Sequence, residues 1–484
     1  MKTKHILLLP ALLLCASCDL LEIQPVNSMI PVSVADHESV LLGGYPRSEF
    51  FMRTELSTDN VYANANATSA PAAANEPWFV WAATHQLANA EDTYWNQLYS
   101  SIYYANTVLD EFLKRAPAPE ERVLFETVRG EAHALRAYCY FYLVNLYAEP
   151  HDEPYLDHPG VPMPLSAEDV HQNTQNNTRV PVGKVWEQIV SDLDAAARDL
   201  AGKPSKGPYR FDYTSVQALR ARVFLFMKRH DDAINAAGDV ISARPLFDMN
   251  NMQPYIDEKG NTYAFAGNTG FIDLGYKNEV LFFVGGRANN NIFHYSTYTF
   301  KPAPELLDLC YRDQADSTRD YRRYIFDSFA ASATDLVQQG PTVYRMFATQ
   351  EKYCYYIGFK ASEAIVTRAE ALARRAAAGD KEAAVRDLNR LLASRYKRSS
   401  FTELSADDFT AESLLARVLE ERRLELAFDG GLRWFDLRRL GKQARVVHAY
   451  KDAVYTLEPG DPRYVLQIPE SEQVNSPNMP LNPR

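Results

Sequence analysis

The hydrophobic residues of this chain recur mostly at steps of three and four, which is the spacing of one face of an α-helix. Such a stripe is clearest in residues 120–147, and a second one runs through 182–200. The members of the first stripe are Ala132, Leu135, Cys139, Tyr142, Leu143 and Leu146. The pattern predicts a mostly α-helical protein with about eight main helices.

Two stretches have the spacing of a tetratricopeptide repeat, in which two helices pack as a pair. The clearer one, in residues 213–247, matches four positions of the repeat: Ala221, Phe224, Ala233 and Pro245. Small residues at such positions let two helices approach closely. A looser copy runs over residues 364–395. The sequence therefore predicts a tetratricopeptide-like scaffold of helix pairs.

Residues 251–350 interrupt this helical rhythm. Glycine, asparagine and aromatic residues dominate there, and short runs such as 279–284 and 295–300 are typical of strands. A long insertion with little helix usually carries function or forms an interface. We expect an N-terminal region, 18–250, and a C-terminal region, 251–484, packed as one globular unit with loop-rich, short-strand insertions.

The first residues have the features of a targeting segment. Lys2 and Lys4 are basic, and the apolar run 6–14 that follows is too short to span a bilayer. Small residues precede Cys18, and the segment looks like a bacterial lipobox. We predict that residues 1–17 are a lipoprotein signal peptide and that Cys18 carries acyl chains such as palmitate, which anchor the protein to a membrane. An ordinary secretory signal is the alternative.

The charge and the cysteines exclude some classes of protein. The 484 residues include 62 acidic and 51 basic side chains. Nucleic-acid binding needs basic patches, so this acidic excess argues against a nucleic-acid partner. Besides Cys15 and Cys18, the chain has three widely spaced cysteines, Cys139, Cys310 and Cys354, which offer neither a disulfide framework nor a zinc motif. We expect no metal centre and no cofactor, and the sequence leaves open a structural calcium ion.

Residues 57–89 form a polar, loop-like stretch that contains several aromatic residues. Trp78 and Trp81 are prominent among them. A polar loop offers fewer buried positions for aromatic side chains than a helix does. The aromatic residues of this loop therefore have two interpretations. The rings either pin the loop onto the helices or form a platform on which the apolar faces of sugar rings stack.

Residues 419–440, LEERRLELAFDGGLRWFDLRRL, are dense in charge. Their helical spacing ends at Asp429-Gly430-Gly431, because glycine adopts the left-handed conformation that caps a helix. A short arginine-rich segment follows. No nucleophile stands beside a base here, so we favour an ion-paired junction that fixes a terminal helix to the body over a catalytic cluster.

The same stretch closely resembles the C-terminal signature of the SusD/RagB family, with Asp429 where the family often has Glu and with one extra glycine. The matching residues are Glu421, Arg422, Arg423, Glu425, Gly430, Arg433, Asp436 and Arg438. Further segments resemble the family between Cys18 and Arg484, among them the helix that ends in GEAHALRAYCYFYLVNLY and the strand-like NEVLFF.

The resemblance implies a lipoprotein on the cell surface of a Gram-negative bacterium, anchored in the outer membrane, that binds nutrients and is not an enzyme. Glycans are the usual ligands, so the implied role is polysaccharide utilisation. It also implies a partner, a SusC-like TonB-dependent transporter, on which the helical scaffold docks while loops 57–90 and 255–300 hold the ligand. The expected ligand-binding residues are Asp59, Asn60, Trp78, Trp81, Asn96, Tyr276 and Tyr295.

Three alternatives stay open. In the first, the ligand is a peptide, since the family includes peptide-handling members. In the second, the protein is an interaction scaffold without a nutrient ligand, since tetratricopeptide repeats usually bind partners. In the third, the protein is a glycoside hydrolase. No GxSxG, HExxH or P-loop motif occurs in the sequence. A glycosidase needs two carboxyl groups roughly 5–9 Å apart, and a sequence cannot show that distance.

Overall fold

A computed structural model describes most of the chain. The described residues are 31–46, 52–65, 73–85, 92–172, 178–251, 278–286, 300–310, 320–322 and 354–484. The predicted lipidation site Cys18 and the predicted ligand-binding residues Tyr276 and Tyr295 lie outside them.

Helices predominate among the described residues, which confirms the predicted fold class. The helices are α1 (Val34–Gly44), α2 (Met52–Glu55), α3 (Glu76–Phe79), α4 (Thr93–Phe112), α5 (Arg122–Tyr147), α6 (Ala167–Gln172), α7 (Val182–Leu200), α8 (Tyr213–Phe226), α9 (His230–Ala243), α10 (Pro304–Leu309), α11 (Ala361–Arg375), α12 (Asp380–Arg395), α13 (Ala411–Glu425), α14 (Leu432–Arg439) and α15 (Glu470–Asn475). The strands are β1 (Val61–Ala63), β2 (Val280–Gly286), β3 (Phe300–Pro302), β4 (Cys354–Lys360), β5 (Val446–Tyr450) and β6 (Ala453–Leu457).

Helix α5 lies in the middle of the core. Every residue from Gly130 to Tyr147 is buried, and the helix packs against α4 and α7. Its buried charges are paired, since Arg136 donates from Nε and Nη2 to the Asp192 carboxylate of α7 at 2.9 and 2.7 Å. From Gly130 onward the predicted apolar stripe is thus one side of a helix that is enclosed all round, as a central helix of a large protein is.

Both predicted helix pairs are present. Helix α8 packs against α9 and α11 against α12, with α9 beside α11. The small residues Ala221 and Ala233 are 1% and 0% exposed, so α8 and α9 meet closely at these positions. The turn between them contains Lys228 in a left-handed conformation, with φ of +59°. The tetratricopeptide-like scaffold is therefore confirmed.

The described strands form three antiparallel pairs, β1 with β3, β2 with β4 and β5 with β6. Strand β2 begins one residue into the predicted run 279–284 and contains the rest of it, whereas only Phe300 of the predicted run 295–300 lies among the described residues. The β5–β6 hairpin was not predicted. Pairing of β1 with β3 places Tyr62 opposite Lys301 and so joins the first half of the chain to the second.

One hydrophobic core contains residues from Val34 to Met479, so the chain on both sides of residue 250 shares it. Among the described helices, none combines the length and the hydropathy needed to cross a membrane.

Candidate functional site

The charged stretch 419–440 forms a buried junction between helices. Nε of Arg422 on α13 donates to Oδ2 of Asp436 on α14 at 2.9 Å. Arg439 binds Glu370 of α11 with both Nη atoms, each 2.7 Å from a carboxylate oxygen. Burial acts to raise the pKa of Glu370, but Arg439, Arg422 and Arg374 outweigh it and lower the pKa to about 2.

Other members of the signature extend this junction to distant elements. Glu425 accepts from Nη2 of Arg395 at 2.8 Å, and Arg438 donates to the backbone carbonyls of Asn145 and Ala148 at the end of α5. Glu421 pairs with Arg322 at 2.8 Å. The interpretation of this stretch as an ion-paired junction is confirmed, because each of these charges is engaged in holding helices together.

The glycine turn between α13 and α14 differs slightly from the expectation. Helix α13 ends at Glu425, before Asp429, and Phe428, Gly430 and Gly431 then adopt left-handed conformations with φ of +66°, +54° and +76°. Left-handed residues of this kind end one helix within a few positions, and α14 starts directly after Gly431.

The predicted ligand loop rests on this junction. Arg433 of α14 binds Asp59 through two nearly parallel hydrogen bonds, Nε to Oδ1 at 2.8 Å and Nη2 to Oδ2 at 2.7 Å. Arg423 of α13 lies 3.3 Å from the same carboxylate. Burial acts to raise the pKa of Asp59, but the hydrogen bond and charge of Arg433 outweigh it and hold the pKa below its usual value. Asp59 remains partly exposed, with 28% of its side chain accessible.

Asn60 does not face a ligand, contrary to the prediction. It is completely buried, its Nδ2 donates to Glu55 Oε1 at 2.7 Å, and its Oδ1 accepts from Arg423 Nε at 2.8 Å. Its backbone carbonyl accepts from the N–H of Ala303 at 2.7 Å. These partners engage both ends of the amide, so Asn60 connects parts of the protein, and its complete burial keeps it from a sugar hydroxyl.

The prediction that Trp78 and Trp81 form a stacking platform does not agree with their burial, since they are 4% and 5% exposed. Trp81 donates from Nε1 to the carbonyl of Ser57 at 3.0 Å, and its ring stacks on His448 at 4.3 Å. Trp78 packs edge-on against Tyr94 at 5.5 Å. The alternative interpretation, in which these rings pin the loop to the body, describes this arrangement.

His448, which the sequence did not single out, is the residue that these aromatic rings enclose. Its ring lies between Phe79 at 4.0 Å and Trp81 at 4.3 Å. Nδ1 is 2.7 Å from the carbonyl oxygen of Phe79, and Nε2 is 3.0 Å from that of Thr58. Burial lowers the pKa of His448. The sequence of β5, VVHAY, does not mark His448 as buried, because the alternation of buried and exposed side chains in this strand is visible only in the structure.

Among the described aromatic residues of the loop 57–89, Tyr62 is the one whose side chain reaches the surface. It is 37% exposed, because β1 points Val61 inward and therefore turns the next side chain outward. Asn64 follows on the same strand end and is half-buried. Asn96, in the first turn of α4, is also half-buried. We define the ligand face as Asp59, Tyr62 and Asn64.

A separate cavity of about 700 Å³ lies among the helices and contains none of the predicted residues. Leu225, Phe226 and Leu415 contribute apolar walls, while Lys228 and Arg374 contribute charge. Among the described residues no group of three or more His, Cys, Asp or Glu side chains is arranged to hold a metal ion.

Two models of one protein family match the sequence. A SusD-like family model described as starch-binding and associating with the outer membrane matches residues 25–225, and the SusD family model matches residues 348–484. The chain belongs to the SusD/RagB family. None of the curated proteins matches the sequence.

Solved structures share the fold across nearly the whole chain. A SusD superfamily protein from Bacteroides thetaiotaomicron has a TM-score of 0.72 at 22% identity, with 94% of this chain and 100% of that chain covered. One from Bacteroides fragilis has a TM-score of 0.69 at 20% identity, covering 93% and 98%. A laminarin-binding SusD-like protein has a TM-score of 0.58 at 19% identity, covering 93% and 98%.

Proposed function

We propose that this protein is a cell-surface lipoprotein that captures oligosaccharides or polysaccharides and delivers them to a SusC-like TonB-dependent transporter in the outer membrane. In this proposal residues 1–17 are removed, Cys18 carries the lipid, and no catalysis takes place. The observation that carries it is the match of residues 25–225 to a family described as starch-binding and outer-membrane associated, because these residues contain the whole ligand face.

The helical pairs suit the role of a rigid scaffold. Stacked helix pairs present extended surfaces to a partner, and the ion-paired junction fixes the loops relative to the helices. We infer that the helices dock on the transporter and that loops 57–90 and 255–300 face the ligand. Tyr276 and Tyr295, in the second loop, remain predicted stacking residues.

The chemistry of the ligand face suits an uncharged sugar. An exposed tyrosine ring can stack on the apolar face of a pyranose, and Asp59 and Asn64 supply oxygen acceptors for hydroxyl groups. Each stacked ring contributes roughly 1–2 kcal/mol from the apolar area that it buries. A few such contacts, less the cost of association, give affinities of order micromolar to millimolar.

Weak single sites fit a polymeric ligand. When one unit of a polysaccharide dissociates, neighbouring units are present at high effective concentration and rebind. The proposal therefore predicts that a long polymer binds more tightly than its short fragments at equal sugar-unit concentration.

Calorimetric titration of the protein against laminarin, starch and other neutral polysaccharides, with mixed peptides in parallel, tests the proposed function. Binding to at least one polysaccharide, with weaker binding to its fragments, is the expected result. Binding to peptides alone would replace glycan capture with peptide capture. Release of reducing sugar from a bound polymer would show a hydrolase instead.

A further inference from the structure

Glu55, the last residue of α2, is a buried carboxyl group beside the ligand face. It is 1% exposed, and its Oε1 accepts hydrogen bonds from Asn60 Nδ2 at 2.7 Å and from the backbone N–H of Phe428 at 3.3 Å. Its Oε2 is buried without a hydrogen-bond partner in the described part of the chain. Half of the carboxyl group is therefore unsatisfied.

The charged groups around Glu55 neutralise it only in part, because Arg433 lowers its pKa through its charge but directs its hydrogen bonds elsewhere. On α14, Arg433 directs Nε and Nη2 to Asp59, and on α13, Arg423 binds Asp59 and Asn60. Asp59 itself repels a second negative charge. On β5, His448 contacts the carbonyl of Thr58. An ionised Glu55 in this position would be a buried charge without a direct ion pair among the described residues, and such a charge either takes up a proton or moves toward water.

Glu55 is also linked to the ligand face through only a few residues. The residue that it binds, Asn60, directly precedes β1, and β1 carries Tyr62. On the other side Glu55 holds Phe428, whose left-handed φ of +66° is unfavourable for a residue with a side chain. The carboxyl group thus connects a strained turn to the strand that presents the exposed ring.

We propose that Glu55 is a protonation-dependent latch that positions Tyr62. With the carboxyl group protonated, residues 55–63 are fixed on the turn 426–431; with the carboxyl group ionised, residues 55–63 open toward water. The proposal rests on the proposed function for the meaning of the ligand face, although the latch itself can be measured without a ligand.

The direction of the pH effect follows from the pKa values of the two states. Burial raises the pKa of Glu55 to about 7 in the closed state, from 4.5 for a solvated glutamate. The open state therefore gains about tenfold in population for each pH unit between 4.5 and 7, and the gain levels off above that range. Opening should be on the order of 50-fold more frequent at pH 8 than at pH 5.

Hydrogen–deuterium exchange of the whole chain between pH 5 and pH 8, corrected for the intrinsic pH dependence of exchange, measures this opening. Peptides from residues 56–64 should exchange about 50-fold faster, after correction, at pH 8 than at pH 5. Peptides from α5 should not change. Glu55→Gln should abolish the pH dependence of residues 56–64, and the control Glu187→Gln, at a side chain that is 64% exposed, should keep it.

The quantity that decides is the change of the corrected exchange rate of residues 56–64 with pH. The absolute exchange rate of each variant does not matter for this test. Equal corrected exchange at pH 5 and pH 8 in the native protein, or a slope that persists in Glu55→Gln, would overturn the latch. The two proposals fail separately: a protein that binds no polysaccharide at either pH loses the proposed function, while the exchange result still decides the latch.

Discussion

At the scale of single residues, burial decides which side chains can meet a ligand. The sequence correctly indicated that the 57–89 stretch is unusual, but it could not separate Trp81, which packs against His448, from Tyr62, which reaches the surface. The separation depends on a contact across 367 positions of the chain, and local pattern contains no information about such a contact. The prediction for Asn60 is wrong for the same reason, since its partner Arg423 lies 363 positions away.

The first prediction concerns Trp81. Replacement by Ala removes a buried indole and should reduce the free energy of unfolding by about 3–5 kcal/mol. Chemical denaturation measures this loss. Tyr62→Ala serves as the matched aromatic change at an exposed position and should alter stability by less than about 1 kcal/mol. Equal stability of the two variants would mean that the Trp81 ring is not enclosed as described.

A second prediction concerns Glu370, which is enclosed by arginines. Its folded-state pKa of about 2 lies below the ordinary 4.5, so its ionisation stabilises the protein above pH 4.5, and this stability is lost as the pH falls toward 2. The shift corresponds to about 3 kcal/mol. Glu370→Gln should cost about 3–5 kcal/mol at pH 7, because it leaves Arg439 buried without its full partner.

Urea unfolding at several pH values between 2 and 7 measures both parts of this effect. The native protein should lose stability below pH 4.5 more steeply than the variant does. Parallel curves for the two proteins would show that Glu370 does not ionise with the lowered pKa that its arginine partners impose.

At the scale of elements, the helices were predictable and the small strands were not. The three- and four-residue spacing identified α5, α7 and both helix pairs, because long periodic segments carry a strong signal. The β5–β6 hairpin has only five residues in each strand and was missed. The end of α13 was placed near Asp429, whereas the helix ends at Glu425, since the turn needs several residues in left-handed conformations.

The packing of α5 against α7 gives a third prediction. A Cβ atom on Gly130 would lie 2.8 Å from Cγ of Leu200 and 2.9 Å from Cβ of Asp199. Gly130→Ala should therefore destabilise the protein by about 1–2 kcal/mol, despite the better helix propensity of alanine.

Gly238→Ala on α9 is the matched control. A Cβ atom there comes no closer than 3.8 Å to a neighbouring atom, the Nη1 of Arg368, so only the propensity gain remains. This variant should be stabilised by up to about 1 kcal/mol. If both variants changed thermal stability in the same direction, the close contact between α5 and α7 would be contradicted.

At the scale of the whole molecule, the signature residues join the two halves of the chain. Arg433 and Arg423 bring Asp59 and Asn60 from the first half onto α13 and α14, and β1 pairs with β3. These contacts hold the ligand face against the helices while Glu55 is protonated. The family could be predicted from the sequence because the signature 419–440 is dense and specific. The ligand-binding residues could not, because they lie on loops whose packing the signature does not determine.

Comparison of Tyr62→Ala with the native protein in polysaccharide binding tests the central claim most directly. Loss of one stacked ring should weaken binding of the best polysaccharide by about 5- to 30-fold, with stability unchanged. Tyr209→Ala, at an exposed tyrosine between α7 and α8, should bind as the native protein does. Undiminished affinity in Tyr62→Ala would contradict the ligand face, and absence of binding to every polysaccharide by the native protein would contradict glycan capture.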